Sequence, residues 1–326
     1  MRIVLRFVKY TSIGLAVLLL GLAVAPWLVP MPERSPTPDQ SPYPDGRMVE
    51  ACGTRWHVRS WPATGEARGH VVLVHGFAGS TFSWRHTAPA LAAAGYRVDA
   101  IDLPPYGFGA RRAPDRAPST CAIEVLELAH EGGPLALVGH SMGASVVARM
   151  AQQLPHREPD LVLVGGGLGG MRRETGVAST LLRVPPLGRW AEVVAHRRLL
   201  RPGRFADTLA SAYGRRPTPE EVEGYRQPLL LAGTAPAVLT ARAADLPLDV
   251  DALPAGVLLL WGGRDAWVPV AVGERTRGRL RDPHWVVIPE AGHNPMETHP
   301  ERFNPHLLAH LQRRAPAAGP TATDQR

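Results

Sequence analysis

Ser141 stands between two glycines in residues 135–145, LALVGHSMGAS, where an apolar run gives way to helical spacing. A strand that turns this sharply into a helix strains its backbone and leaves little room two residues to either side. Gly139 and Gly143 occupy those two positions. The pattern G-x-S-x-G between strand and helix lifts a hydroxyl clear of a sheet edge and offers it as a nucleophile. A Gly/Ser-rich loop can match five residues by chance, so the other groups the chemistry needs carry much of the weight.

A serine hydroxyl attacks at neutral pH only when a base accepts its proton. His293, in the loop PEAGHNPMETHP after the last expected strand, is the candidate base. The base in turn needs a carboxylate to fix its tautomer and stabilise the imidazolium. Asp265 in GGRDAWVP follows the apolar run VLLLW and is the candidate acid, although an aspartate there could instead cap the next helix. Asp102, after RVDAI, is the rival acid but precedes the nucleophile in the chain. The order Ser141, Asp265, His293 is that of a strand–turn–helix nucleophile with its partners downstream. A tetrahedral oxyanion also requires donors. One is expected from the backbone N–H of Met142 at the helix start, the other from Phe77 in VHGFAGSTFSW, with Gly76 letting that loop turn inward. His75 and His140 read as packing or orienting residues.

Positioning these groups requires a sheet. From about residue 47 short apolar runs alternate with helical segments, as in HVVLVHGF, RVDAIDLP, LALVGH, PDLVLVGGG, GVLLLWGGRD and HWVVIPEAGH. That rhythm implies a mostly parallel sheet flanked by helices, with GTRWHVRSW as an exposed strand beside it. Residues 168–240 break the rhythm with helical patterns only, Thr218 and Glu221 forming a capping box. This places a helical cap after the sixth strand, between core segments 47–167 and 241–314, at the strand ends where ligands bind in open α/β sheets.

The 326 residues are 45% hydrophobic and 20% charged, a globular composition. The net charge is +7, but Lys9 is the one lysine among 36 basic residues and the arginines form no stripe interleaved with aromatics. Nucleic acid is therefore not an expected partner. No C-x-x-C or H-E-x-x-H pattern calls for a metal, and neither metal nor cofactor is expected.

Residues 1–29 are different in kind. Arg2, Arg6 and Lys9 precede a 19-residue uncharged segment, residues 11–29, long enough to span a bilayer with the remainder exported. A cleaved signal peptide competes, since Ala23-Val24-Ala25 resembles a cleavage box. Pro26 directly after the cut and Trp27 at an interfacial position favour an uncleaved anchor. Residues 30–46 hold six prolines and read as a stiff linker of roughly 50 Å that holds the domain off a membrane. The tail 315–326 reads as disordered. Cys52 and Cys121 are permitted to pair in an exported domain, but spacing does not decide it, and two unpaired cysteines are at least as consistent with it.

Residues 50–312 resemble the capped group of α/β-hydrolases through HGFAGSTFSWR, DLPPYGFGARR, GHSMGAS, WGGRDAWVP and GHNPMETHP. The resemblance implies an α/β-hydrolase fold and a serine hydrolase acting on a small-molecule carboxylic ester through Ser141, Asp265 and His293. Epoxide hydrolases and haloalkane dehalogenases of the group carry aspartate where this chain has Ser141, which argues against both activities. Pro105 and Gly109 depart from the group's D-x-P-G-x-G-x-S segment, and LVLVGGGL ends in glycines instead of the usual acidic or apolar cluster. The apolar cap residues Leu181, Leu182, Trp190 and Leu199 are compatible with a hydrophobic acyl or alcohol group and equally with packing of the cap. The same three groups would also serve acyl transfer or carbon–carbon cleavage, and a ligand-binding relative without catalysis is the reading from another class.

Overall fold

The structure is a computed structural model, and it describes residues 2–31, 37–129, 133–169, 180–182, 184–240 and 246–314. The tail 315–326, expected to be disordered, lies outside the described residues, as do residues 170–179 of the cap. Eight strands form one sheet: β1 Gly46–Ala51, β2 Thr54–Trp61, β3 Gly69–Val74, β4 Tyr96–Asp102, β5 Leu135–His140, β6 Asp160–Val164, β7 Leu258–Gly262 and β8 His284–Ile288. Their order is β1-β2-β4-β3-β5-β6-β7-β8. The β1–β2 and β2–β4 pairs are antiparallel and the rest of the ladder is parallel.

The central strands are apolar throughout because helices cover both faces of a parallel sheet. Every residue of β5 and β7 is buried. One face packs under the helices Pro118–Ala129 and Met142–Gln153 around Leu137, Val147, Met150 and Leu163. The other holds Trp84, Val138, Leu260, Phe303 and Leu307 beneath the helix Pro300–Arg314. Each such side chain contributes roughly 1.5–3 kcal/mol by leaving water. The β2 strand departs from the exposed reading: Trp56, His57 and Val58 are each at 0% exposure. Its inner face packs into the same core cluster as Cys121, Ala122 and Val125 of the helix Pro118–Ala129, a covering that local alternation in the sequence does not reveal.

Cys52 and Cys121 form a disulfide, tying the β1–β2 turn to the helix Pro118–Ala129 across a separation of 69 residues. The unpaired alternative is thereby corrected; the pairing depends on a through-space approach that spacing does not encode.

Between β6 and β7 the described chain is helical, with helices Pro185–Val194, Pro202–Tyr213, Pro219–Leu230 and Thr234–Thr240. The third opens with the expected capping box of Thr218 and Glu221. These helices form the cap.

The end of the linker nearest β1 packs against the domain. Tyr43 stands edge-on to Phe108 with ring centroids 5.7 Å apart, and Arg59 lies 4.0 Å above the Tyr43 ring. Ser41 Oγ lies 2.8 Å from His57 Nε2. The aromatic and hydroxyl groups between the prolines find partners on the sheet edge, which a proline count alone does not register. At the N-terminus the helix Arg2–Leu28 contains one stretch, Arg6–Leu28, long and apolar enough to be a signal anchor or membrane span.

Candidate active site

The turn from β5 into the helix Met142–Gln153 places Ser141 at φ 51°, ψ −115°. A left-handed φ costs a side-chain-bearing residue on the order of 1–3 kcal/mol, so the surroundings must impose it. Ser141 N–H donates to the Val164 carbonyl at 2.8 Å, tying the turn to β6. A Cβ on Gly139 would lie 2.3 Å from the Gly143 carbonyl oxygen, and one on Gly143 would lie 2.5 Å from the Val74 carbonyl oxygen. Both glycines of the motif are thus required by close backbone approach.

The glycines ending β6, visible in the sequence as a departure without an assigned role, belong to the same construction. A Cβ on Gly166 would lie 2.3 Å from the Ser141 carbonyl oxygen. One on Gly165, itself at φ 52°, would lie 3.2 Å from the His293 carbonyl oxygen and 3.5 Å from Asp265 Oδ2. The segment that replaces an acidic or apolar cluster therefore leaves room for the serine turn on one side and the histidine loop on the other.

Asp265 and His293 arrive from the ends of β7 and β8 and meet at 2.7 Å, His293 Nδ1 to Asp265 Oδ2, both buried. Nδ1 facing a carboxylate carries the ring proton, which leaves Nε2 as the basic nitrogen. Asp265 Oδ1 accepts the amides of Trp267 at 2.9 Å and Val268 at 2.8 Å. Pro269, not Asp265, is the N-cap of the helix Val270–Arg277. The carboxylate thus organises its own loop and fixes the imidazole at once. The histidine backbone is clamped from two sides: its N–H donates to the Ala212 carbonyl of the cap at 2.6 Å, and its carbonyl accepts from His140 Nε2 at 2.9 Å. Trp267 stacks on the His293 ring at 5.6 Å and donates from Nε1 to Ser211 Oγ of the cap at 3.0 Å. No local signal in the sequence marks Trp267 for that contact.

The loop after β3 lies against the serine turn. A Cβ on Gly76 would stand 2.9 Å from His140 Nδ1 and 3.0 Å from Ser141 Cβ. His75 orients this loop. Leu103 N–H donates to its Nε2 at 3.0 Å, so Nδ1 bears the hydrogen and donates to the Gly76 carbonyl at 2.6 Å. Gly79 N–H also donates to that carbonyl, at 3.1 Å. In a planar trans peptide the C=O and the next N–H point in opposite directions, so fixing the Gly76 carbonyl fixes the direction of the Phe77 amide. Met142 is the first residue of its helix, where an amide has no intrahelical acceptor.

Burial holds both orienting histidines below their ordinary pKa. For His75 the pull of Asp102 only partly offsets it; for His140 the neighbouring His293 ring adds to it. Both are neutral, as orienting roles require.

Asp102, the rival acid, is engaged elsewhere. Its Oδ2 lies 2.7 Å from His57 Nδ1 and accepts Phe108 N–H at 2.9 Å, while Oδ1 accepts Thr81 N–H at 2.6 Å. Burial works to raise its pKa, but His57, His75 and the Phe108 amide outweigh it and hold the carboxyl below its usual range. Together with Ser41 it forms a relay that pins the linker to the sheet.

A second buried network joins the cap to the histidine loop. Glu297, four residues after His293, accepts from Tyr213 OH at 2.8 Å, Tyr225 OH at 2.5 Å and Asn294 Nδ2 at 2.8 Å, and pairs with Arg85. Burial and the facing carboxylate push both tyrosine hydroxyls up, so they remain donors. For Arg85, burial is outweighed by Glu297 and the guanidinium stays charged.

The Alpha/beta hydrolase family profile matches residues 71–306. A monoacylglycerol lipase of Mycolicibacterium smegmatis is 29% identical over 248 residues, covering 72% of this chain and 84% of that protein. The acetyltransferase component of the Pseudomonas putida acetoin cleaving system is also 29% identical, over 256 residues, covering 76% of this chain and 65% of that longer protein. Among solved structures, a membrane phospholipase A superposes with a TM-score of 0.64 at 23% identity, covering 95% of this chain and 98% of that one, which is a likeness of fold. The matched span runs from β3 through the cap to the last helix and includes Ser141, Asp265 and His293, and this chain belongs to the alpha/beta hydrolase family.

Proposed function

We propose that this protein is a membrane-anchored serine hydrolase that cleaves a carboxylic ester with a hydrophobic acyl or alcohol group. The observation that carries the reading is the Asp265–His293 pair, 2.7 Å apart, on the sheet edge where Ser141 is held at positive φ. Ser141 Oγ attacks the acyl carbonyl as His293 Nε2 takes its proton, and Asp265 stabilises the imidazolium. The amides of Phe77 and Met142 hold the oxyanion, a donor pair whose members are each worth about 10²–10³ in rate. His293 then protonates the departing alkoxide, leaving an acyl group on Ser141. Water activated by the same nitrogen attacks that acyl group and restores the serine. The lipase among the relatives supports an ester substrate with an apolar portion. The apolar stretch Arg6–Leu28 supports anchoring, with the catalytic domain outside the cell membrane, and the Cys52–Cys121 disulfide fits an oxidising compartment.

Hydrolysis of p-nitrophenyl esters of increasing chain length tests the proposal. The full chain is expected to turn over medium or long acyl esters, and Ser141→Ala to lower kcat on the order of 10⁶-fold with an unchanged fold. A Ser141→Ala protein that retained wild-type turnover would exclude the mechanism.

A further inference from the structure

Apart from the N-terminal helix, seven large apolar side chains are exposed among the described residues, and all but Leu246 and Trp267 gather in one place. Leu181, Val184, Leu187, Val194 and Leu199, between 39% and 63% exposed, all lie within the first helical part of the cap. Arg197, Arg198, Arg201 and Arg204 are exposed beside them. Apolar groups interleaved with arginines form the surface that sits at a lipid headgroup boundary, with aliphatic parts below and guanidinium groups among anionic phosphates.

The N-terminal helix fixes which surface this patch meets. Trp190 Nε1 donates to the Leu22 carbonyl at 3.0 Å, Arg197 Nη2 donates to the Pro30 carbonyl at 2.5 Å, and the Arg189 guanidinium lies 5.4 Å from the Trp27 ring. Leu22 is six residues before the helix end at Leu28, about 9 Å at 1.5 Å per residue. The cap thus grips the last turns of the apolar stretch. The 17 residues from Arg6 to Leu22 that remain span about 25 Å, somewhat less than a hydrocarbon core of about 30 Å. A bilayer around the helix therefore leaves no aqueous gap beneath the cap.

We propose that cap residues 181–182 and 184–204 dock on the bilayer, their apolar side chains in the interface and Arg197, Arg198, Arg201 and Arg204 on anionic headgroups. The inference rests on the anchoring reading above. It differs from that reading in assigning the membrane contact to the catalytic domain as well as to the helix.

The test uses the full chain reconstituted in phosphatidylglycerol–phosphatidylcholine vesicles, with an environment-sensitive fluorophore on a single introduced cysteine and doxyl-labelled lipid as quencher. Leu199→Cys reports the patch, Val17→Cys the helix, and Glu66→Cys the opposite edge of the sheet, ahead of β3. Docking predicts a blue shift and loss of emission at positions 199 and 17, and neither at 66. Quenching at 17 without quenching at 199 would overturn the docking and leave the anchor standing. Absence of quenching at 17 would overturn the anchor, and position 199 would then decide the surface contact by itself. Equal quenching at all three positions would contradict the orientation.

Discussion

His75 and His140 flank Ser141 as neutral donors, one aiming the Gly76 carbonyl and the other holding the His293 carbonyl. Their neutrality has a consequence for stability. Both are held below the ordinary value of 6.5 by burial, whereas the unfolded chain titrates near that value. Between the two, the unfolded state binds more protons, so their contribution is intact above about pH 6.5 and is lost as pH falls below it. Each histidine should remove up to about 1.4 kcal/mol per pH unit across that window. Urea unfolding at a series of pH values is expected to show the midpoint falling on acidification, and His140→Gln to flatten the slope.

At the scale of elements, the histidine loop is held by the cap as much as by β8. Glu297→Gln keeps the shape but removes the charge that faces Arg85. Breaking a buried pair strands the remaining ion, although Glu221, 3.4 Å from Arg85, offsets part of the loss. A destabilisation of about 2 kcal/mol is expected in thermal unfolding, with a lower kcat because the His293 loop loses its tie to Tyr213 and Tyr225. The sequence revealed the serine turn and the Asp265–His293 pairing because both depend on residue type at a strand end, and strand ends are legible from apolar runs. Gly166, Trp267 and Glu297 were not legible. Each matters through a neighbour distant in the chain, and neither a run of glycines nor a single Trp or Glu carries the spacing that would assign it a partner. The burial of β2 and the docking of Tyr43 escaped for the same reason.

For the molecule as a whole, three devices tie the chain together outside the sheet: the Cys52–Cys121 disulfide, the Ser41–His57–Asp102 relay and the grip of the cap on the N-terminal helix. Closing a loop over a separation of 69 residues restricts the unfolded chain by about 4 kcal/mol on the loop-entropy account. Reduction, or Cys52→Ser with Cys121→Ser, should lower the denaturation midpoint accordingly while leaving the geometry around Ser141 intact. Equal midpoints with and without reductant would refute that contribution.

In the proposed mechanism Ser141 is an activated nucleophile with His293 as its base. Treating the full-length protein with a fluorophosphonate and locating the adduct by peptide mass spectrometry tests it without a guess at the substrate. An adduct on Ser141 that disappears in His293→Ala is the predicted result. A folded protein that remains unlabelled at Ser141, or one labelled equally well without His293, would contradict it.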